Sequence, residues 1–175
     1  MPFTSGVLAI GTVERSDDYG LPVRSGPVVA RISKALGLPG GTRDVAGLAL
    51  RLPTDTGEPW DLLMTTAGGP GTWQRRMPRT TGDWLLADFS SLTPFEHERR
   101  RWWVRARCAT SLPAQGLSLD TIVEALHGGG VEFSLTQAAS GRPFHSLGWL
   151  TLHGVHREAG DGACAHRLAD LRATS

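Results

Sequence analysis

A chain of 175 residues, 40 % of them hydrophobic, is long enough to bury one core and short for two domains. Its formal charge of +1 sets up no basic field for nucleic acid or a membrane surface, and no stretch approaches the roughly 18 apolar residues of a membrane-spanning helix. Two cysteines, Cys108 and Cys164, lie far apart and in no zinc or redox spacing, which argues against a disulfide framework and fits a reducing, cytoplasmic setting.

Met1 to Ile10 carries no basic region ahead of its apolar residues, so it does not read as a secretory signal. Gly6 to Glu14 is β-branched and apolar and predicts a first strand, with Gly11 as a bulge or a point of close approach. Arg15 to Gly26 is a polar loop that holds Tyr19, the only tyrosine. Val28 to Ser33, Val45 to Leu52 and Trp60 to Thr65 predict three more strands, joined by Gly/Pro turns too short for a parallel crossover and therefore antiparallel. Within these otherwise apolar strands Arg31 and Asp61 stand out. A buried charge is costly unless paired or ligand-bound, which makes both candidates for a site.

Ala67 to Thr72 is a turn, Trp73 to Thr81 fits no element, and Asp83 to Phe89 fits either strand or helix. Thr93-Pro94-Phe95-Glu96 has the form of a capping box with proline at the first helical position, and predicts a short helix. Arg101 to Arg107 alternates as a strand. Ser118 caps a predicted helix over Leu119 to His127, whose Leu119, Ile122, Val123 and Leu126 share a face and which stops at Gly128-Gly129-Gly130. Val131 to Ala138 and Phe144 to Val155 form a closing hairpin, and Cys164 to Ala173 suits a short terminal helix. The sum is a mainly β chain of the α+β class: one domain over 1–175, an antiparallel β-barrel of about eight strands with two or three short helices, and a peripheral tail over 156–175.

The order Arg31-Ile32-Ser33, then Arg43-Asp44-Val45-Ala46-Gly47-Leu48-Ala49 with Arg51, then Trp60-Asp61-Leu62 resembles the haem-binding barrel of the catalase superfamily. There an Arg-x-Ser strand is followed by Arg-Asp-x-x-Gly-x-Ala, a basic residue and Trp-Asp-Leu. The opening Gly6 to Glu14 and the closing Val131 to Leu152 are similar to strands of the same barrel, and the whole resembles the small catalase-like proteins of bacteria. The resemblance implies that Arg31 binds a haem propionate and that Ser33 supports the catalytic histidine. That histidine's position is held by Phe3, and the distal asparagine's by Thr66, which has one hydrogen to donate. The late Arg-x-x-x-Tyr that ligates iron is here Arg167 followed at its fourth place by Leu171, so ordinary peroxide dismutation is not expected.

Other readings of the same residues are blander or belong to other classes. Arg31 suits either a carboxylate anchor or an ion pair with Asp61 or Asp44 in the barrel wall, and Arg43-Asp44 suits a turn-fixing pair. His153 and His156, with Asp161 or Cys164, offer part of a metal site, but residues three apart on a strand face opposite ways, and no metal is expected. His97, between Glu96 and Glu98, reads as part of a solvated face. Ser33, His145 and Asp61 make a hydrolase triad only on paper, without a G-x-S-x-G elbow. Trp73, Trp84, Trp102, Trp103 and Trp149 suit a flat-ligand pocket, the core or a dimer surface. The expectation is a small-molecule-binding barrel whose ligand is haem or another largely apolar molecule with an acidic group. The alternatives are a cofactor-free enzyme of secondary metabolism acting on an apolar substrate inside the barrel, and a non-catalytic module that forms a homodimer.

Overall fold

The computed structural model describes residues 5–67 and 77–155. Nine strands and one helix follow in chain order: β1 (Ser5–Arg15), β2 (Gly26–Lys34), β3 (Ala46–Leu52), β4 (Trp60–Thr66), β5 (Asp88–Ser91), β6 (Phe95–His97), β7 (Arg100–Cys108), α1 (Leu119–Gly128), β8 (Val131–Ala139) and β9 (His145–Val155). Every pairing is antiparallel, in the order β5-β4-β3-β2-β1-β9-β8-β7-β6, and a further pairing of β5 with β7 closes eight of the strands into a barrel. β6 lies outside the closed ring. It shares one edge of β7 with β5, taking Arg100 to Trp102 while β5 takes Arg105 to Arg107.

Alternation along each strand decides what fills the barrel. Ala9 and Val13, Ala30 and Ile32, Leu48 and Leu50, Leu62 and Met64, Phe89, Val104 and Ala106, Phe133 and Leu135, and Leu150 and Leu152 all turn inward and are buried in one continuous core. An eight-stranded barrel is just wide enough for such side chains to fill. Gly11 is the expected irregularity: the β1–β9 register shifts between Ile10 and Gly11, and a Cβ at Gly11 would sit 1.9 Å from the carbonyl oxygen of Thr151.

The two ends are closed differently. At one, Ile122 and Leu126 of α1 pack into the core beside Leu117 and Trp84, whose Nε1 donates to the Ser118 carbonyl at 2.9 Å. Ser118 occupies the N-cap position but makes no side-chain capping bond. At the other end the loop between β1 and β2 folds over the opening. Its Leu21 and Val23 join the core, and the Leu21 amide donates to Oε1 of the fully buried Gln137 at 2.9 Å.

Two expectations change. The predicted helix at Thr93-Pro94-Phe95-Glu96 is instead a turn leading into β6, and α1 is the one helix among the described residues, not one of two or three. The capping-box residues are outcompeted by tertiary contacts. Phe95 stacks on Trp60 with ring centroids 5.8 Å apart and pairs in register with Trp102. Glu98 and Arg99, at φ 49° and 60°, then make the two-residue left-handed turn that suits a hairpin rather than a helix. Asp83 to Phe89, open from sequence, divides: a turn holds Trp84 to Ala87, and the strand begins at Asp88. The predicted terminal helix over Cys164 to Ala173 lies outside the described residues.

Candidate functional site

The charged residues that stood out in the sequence resolve once inside and outside are known. On β2 the inward positions are Val28, Ala30, Ile32 and Lys34, so Arg31 and Ser33 face out; on β4 the alternation turns Asp61, Leu63 and Thr65 out and Trp60, Leu62 and Met64 in. Asp61 meets Arg51 of β3 at 3.7 Å, both on the outer surface. Asp44 is fully buried and accepts from the amides of Leu36 at 3.0 Å, Leu38 at 3.3 Å and Val45 at 2.7 Å, so it fixes the turn between β2 and β3. Lys34 works on the same turn from inside, its Nζ donating to the carbonyls of Leu38 and Gly40. Arg43 reaches instead to the Thr80 carbonyl at 3.2 Å.

Arg31 lies against β1. A Cβ built at Gly6 would be 2.8 Å from its Cζ, so the guanidinium occupies the space that the missing side chain leaves. The register then assembles an outer face row by row. Gly6 sits beside Ser33, Ser33 beside Gly47, Gly47 beside Thr65 and Thr65 beside Ser90, while the next row runs Leu8, Arg31, Ala49, Leu63. Small side chains thus make a flat floor, and the apolar Ile10, Val29 and Leu63, about 42–45 % exposed, stand around Arg31. Thr65 is only 4 % exposed and its Oγ1 is buried without a hydrogen-bond partner. A buried hydroxyl left unpaired costs on the order of 1–3 kcal/mol.

Of the sequence-predicted site residues, the structure brings Arg31 and Ser33 to this one face. Thr66 sits on the other side of β4, where its Oγ1 donates to the Arg79 carbonyl at 2.6 Å and accepts from the Ala46 amide at 3.1 Å. Its neighbour Thr65 is the residue that shares the face with Arg31, a distinction of strand parity that spacing alone does not reveal. Phe3 lies outside the described residues, as do Trp73, His156, Asp161 and Cys164. Ser33 and His145 lie at opposite ends of the barrel, and Asp61 is engaged by Arg51, so the hydrolase triad is not assembled. His97 faces Glu98 at 3.8 Å and packs edge-on against Trp60. Among the described residues no three His, Cys, Asp or Glu side chains cluster as metal ligands.

The tryptophans divide by location. Trp84 and Trp102 are core, Trp103 is buried on the outside of β7, and Trp149 is about half exposed. The loop end of the barrel is aromatic: Tyr19 contacts Trp102 and His145, with centroids 5.9 and 5.1 Å away, and Trp60 contacts Phe95 and His97. Beside it Arg15 donates to the carbonyls of Leu147 and Tyr19; burial pulls its pKa below the ordinary arginine value against the opposing charges of Asp17, Asp18 and Asp55. Sequence reasoning passed over this end because its members come from four separated segments.

The fold is a closed antiparallel barrel of eight strands with Arg31 on the outside of its wall. No protein-family model matches the chain, and comparison with curated proteins finds no relative. No helix among the described residues is long and apolar enough to cross a membrane.

Proposed function

We propose that this is a catalase-like barrel that binds a flat, largely apolar small molecule carrying an acidic group on the outer face of β1 to β4, with Arg31 as the anchor. The observation that carries the reading is the guanidinium of Arg31 laid over Gly6, beside a floor of Gly6, Ser33, Gly47 and Thr65 and an apolar border of Ile10, Val29 and Leu63. A guanidinium matches a carboxylate with two parallel hydrogen bonds. Glycine and serine keep the sheet surface low beside Arg31, and the Thr65 hydroxyl buried next to it has no hydrogen-bond partner. The barrel interior is filled by its own side chains, which favours the outside over the inside as the place for a ligand.

Haem is one molecule of this description, and the face fits it in part. Arg31 suits a propionate, but none of the outward residues of β1 to β4 is a histidine, cysteine, tyrosine or methionine that would ligate iron. The proposal therefore includes neither iron chemistry nor peroxide turnover.

Titration of the purified protein with haem tests it directly. A Soret band that saturates with haem and weakens at least about tenfold in apparent affinity for Arg31→Ala is the expected result, since a charge-assisted hydrogen bond contributes about 1.5–3 kcal/mol. A spectrum that haem leaves unperturbed removes haem from the class, and a porphyrin-free aromatic carboxylate whose binding is equal in wild type and Arg31→Ala removes the anchor.

A further inference from the structure

We propose that the loop end of the barrel holds a second small-molecule site, independent of the Arg31 face, in which Trp102 and His145 receive the hydroxyl of a phenol. Trp102 is 3 % exposed, yet its indole Nε1 is buried with no hydrogen-bond partner, and the same holds for Nε2 of His145. The two rings touch edge to face, with centroids 6.4 Å apart, so two unsatisfied ring nitrogens stand in one aromatic cluster. Native proteins rarely leave such atoms unpaired, because each costs on the order of 1–3 kcal/mol.

The donor and acceptor inventory narrows the ligand. Indole N–H only donates, and a neutral imidazole protonated on Nδ1 accepts at Nε2. One hydroxyl serves both: its oxygen accepts from Trp102 and its hydrogen goes to His145. The surroundings favour a hydroxyl on an aromatic ring. Tyr19 lies over both residues and is 56 % exposed, while its backbone carbonyl is held by Gln137 Nε2 at 2.8 Å and by Arg15, so the ring can swing without moving the loop. Gly20 and Leu21, next to Tyr19 in the chain, line a neighbouring cleft together with Arg15, Asp18, His97 and Glu98; Trp102 and His145 do not line it, so a ligand reaches their ring nitrogens only when the Tyr19 ring moves aside.

The test follows the indole N–H signals of the full chain by ¹H–¹⁵N NMR during titration with phenol and, separately, toluene. Phenol is expected to shift the Trp102 signal, identified by its loss in Trp102→Phe, in a saturable way. Toluene has the ring without the hydroxyl and should bind at least about tenfold more weakly, the worth of roughly one buried hydrogen bond. His145→Ala should weaken phenol by a similar factor while leaving toluene unchanged. Equal binding of the two compounds, or a Trp102 signal that does not move with phenol, overturns the proposal, and the second result would leave only water between the two rings. The phenol and toluene comparison uses wild-type protein, so it decides the matter even if a variant fails to fold.

Discussion

Gln137 shows how one side chain can hold one end of the barrel together. It is fully buried, accepts the Leu21 amide and donates to the Tyr19 carbonyl, so it ties the loop between β1 and β2 to the inner rim of the barrel. Gln137→Ala strands the Leu21 amide and leaves the Tyr19 carbonyl to Arg15 alone, and we expect a loss of about 1–3 kcal/mol in a urea melt, the cost of one buried group left unpaired. A melt within 0.5 kcal/mol of wild type, as an order-of-magnitude threshold for a neutral change, would mean that the loop is held by Leu21 and Val23 alone. Cys108 makes a second residue-scale case. Burial raises its thiol pKa, so alkylation by iodoacetamide at neutral pH should be several-fold slower in the folded protein than in urea. Because the folded value is the raised one, the associated stability is complete below the unfolded thiol pKa and is lost as pH climbs through the folded one.

Among the elements, the seam between β1 and β9 depends on close backbone approach. A Cβ at Gly11 would meet the Thr151 carbonyl at 1.9 Å, and one at Gly148 would meet the Glu14 carbonyl at 2.2 Å. Gly11→Ala is therefore expected to cost about 2 kcal/mol or more, the upper part of the overpacking range, as read by thermal unfolding. The hairpin of β6 and β7 illustrates the opposite relation between sequence and structure. Its Thr-Pro-Phe-Glu opening has good helix-starting chemistry, but stacking of Phe95 on Trp60 and pairing with Trp102 offer more than one turn of exposed helix would. Local signals are weak when an aromatic partner waits across a strand.

At the scale of the whole molecule, the barrel is closed by the short pairing of β5 with β7, where Asp88 sits opposite Arg107 and the two side chains form a bidentate ion pair. The hydrogen bond to Arg107 holds the Asp88 carboxyl below its ordinary range. The sign follows from the lowered folded value: the pair stabilises the protein above the unfolded carboxyl pKa and ceases to do so as pH falls through the folded one. Both side chains are about half exposed or more, so Asp88→Asn should cost less than about 1 kcal/mol at pH 7 and nothing measurable at pH 2. Urea melts at the two pH values check this, and a large loss at pH 7 would mean that the pair, rather than the apolar core, closes the barrel.

How much was legible in the chain follows from what each signal depends on. Strand positions from β1 to β4 and from β7 to β9, α1 and the irregularity at Gly11 are matters of local periodicity and punctuation, and the sequence by itself determined them because alternation must match a buried face. The resemblance to the catalase barrel brought Arg31 and Ser33 forward together, and residues two apart on one strand share a side. Only the tertiary structure decided which side that was. Barrel closure put Arg31 outside rather than in the core, exchanged Thr66 for Thr65 as its companion, and turned the capping box at Thr93 into a strand. It also gathered Tyr19, Trp102, Gln137 and His145 at one rim. Those outcomes depend on register between strands far apart in the chain, and a one-residue difference in register reverses the face of every side chain on a strand.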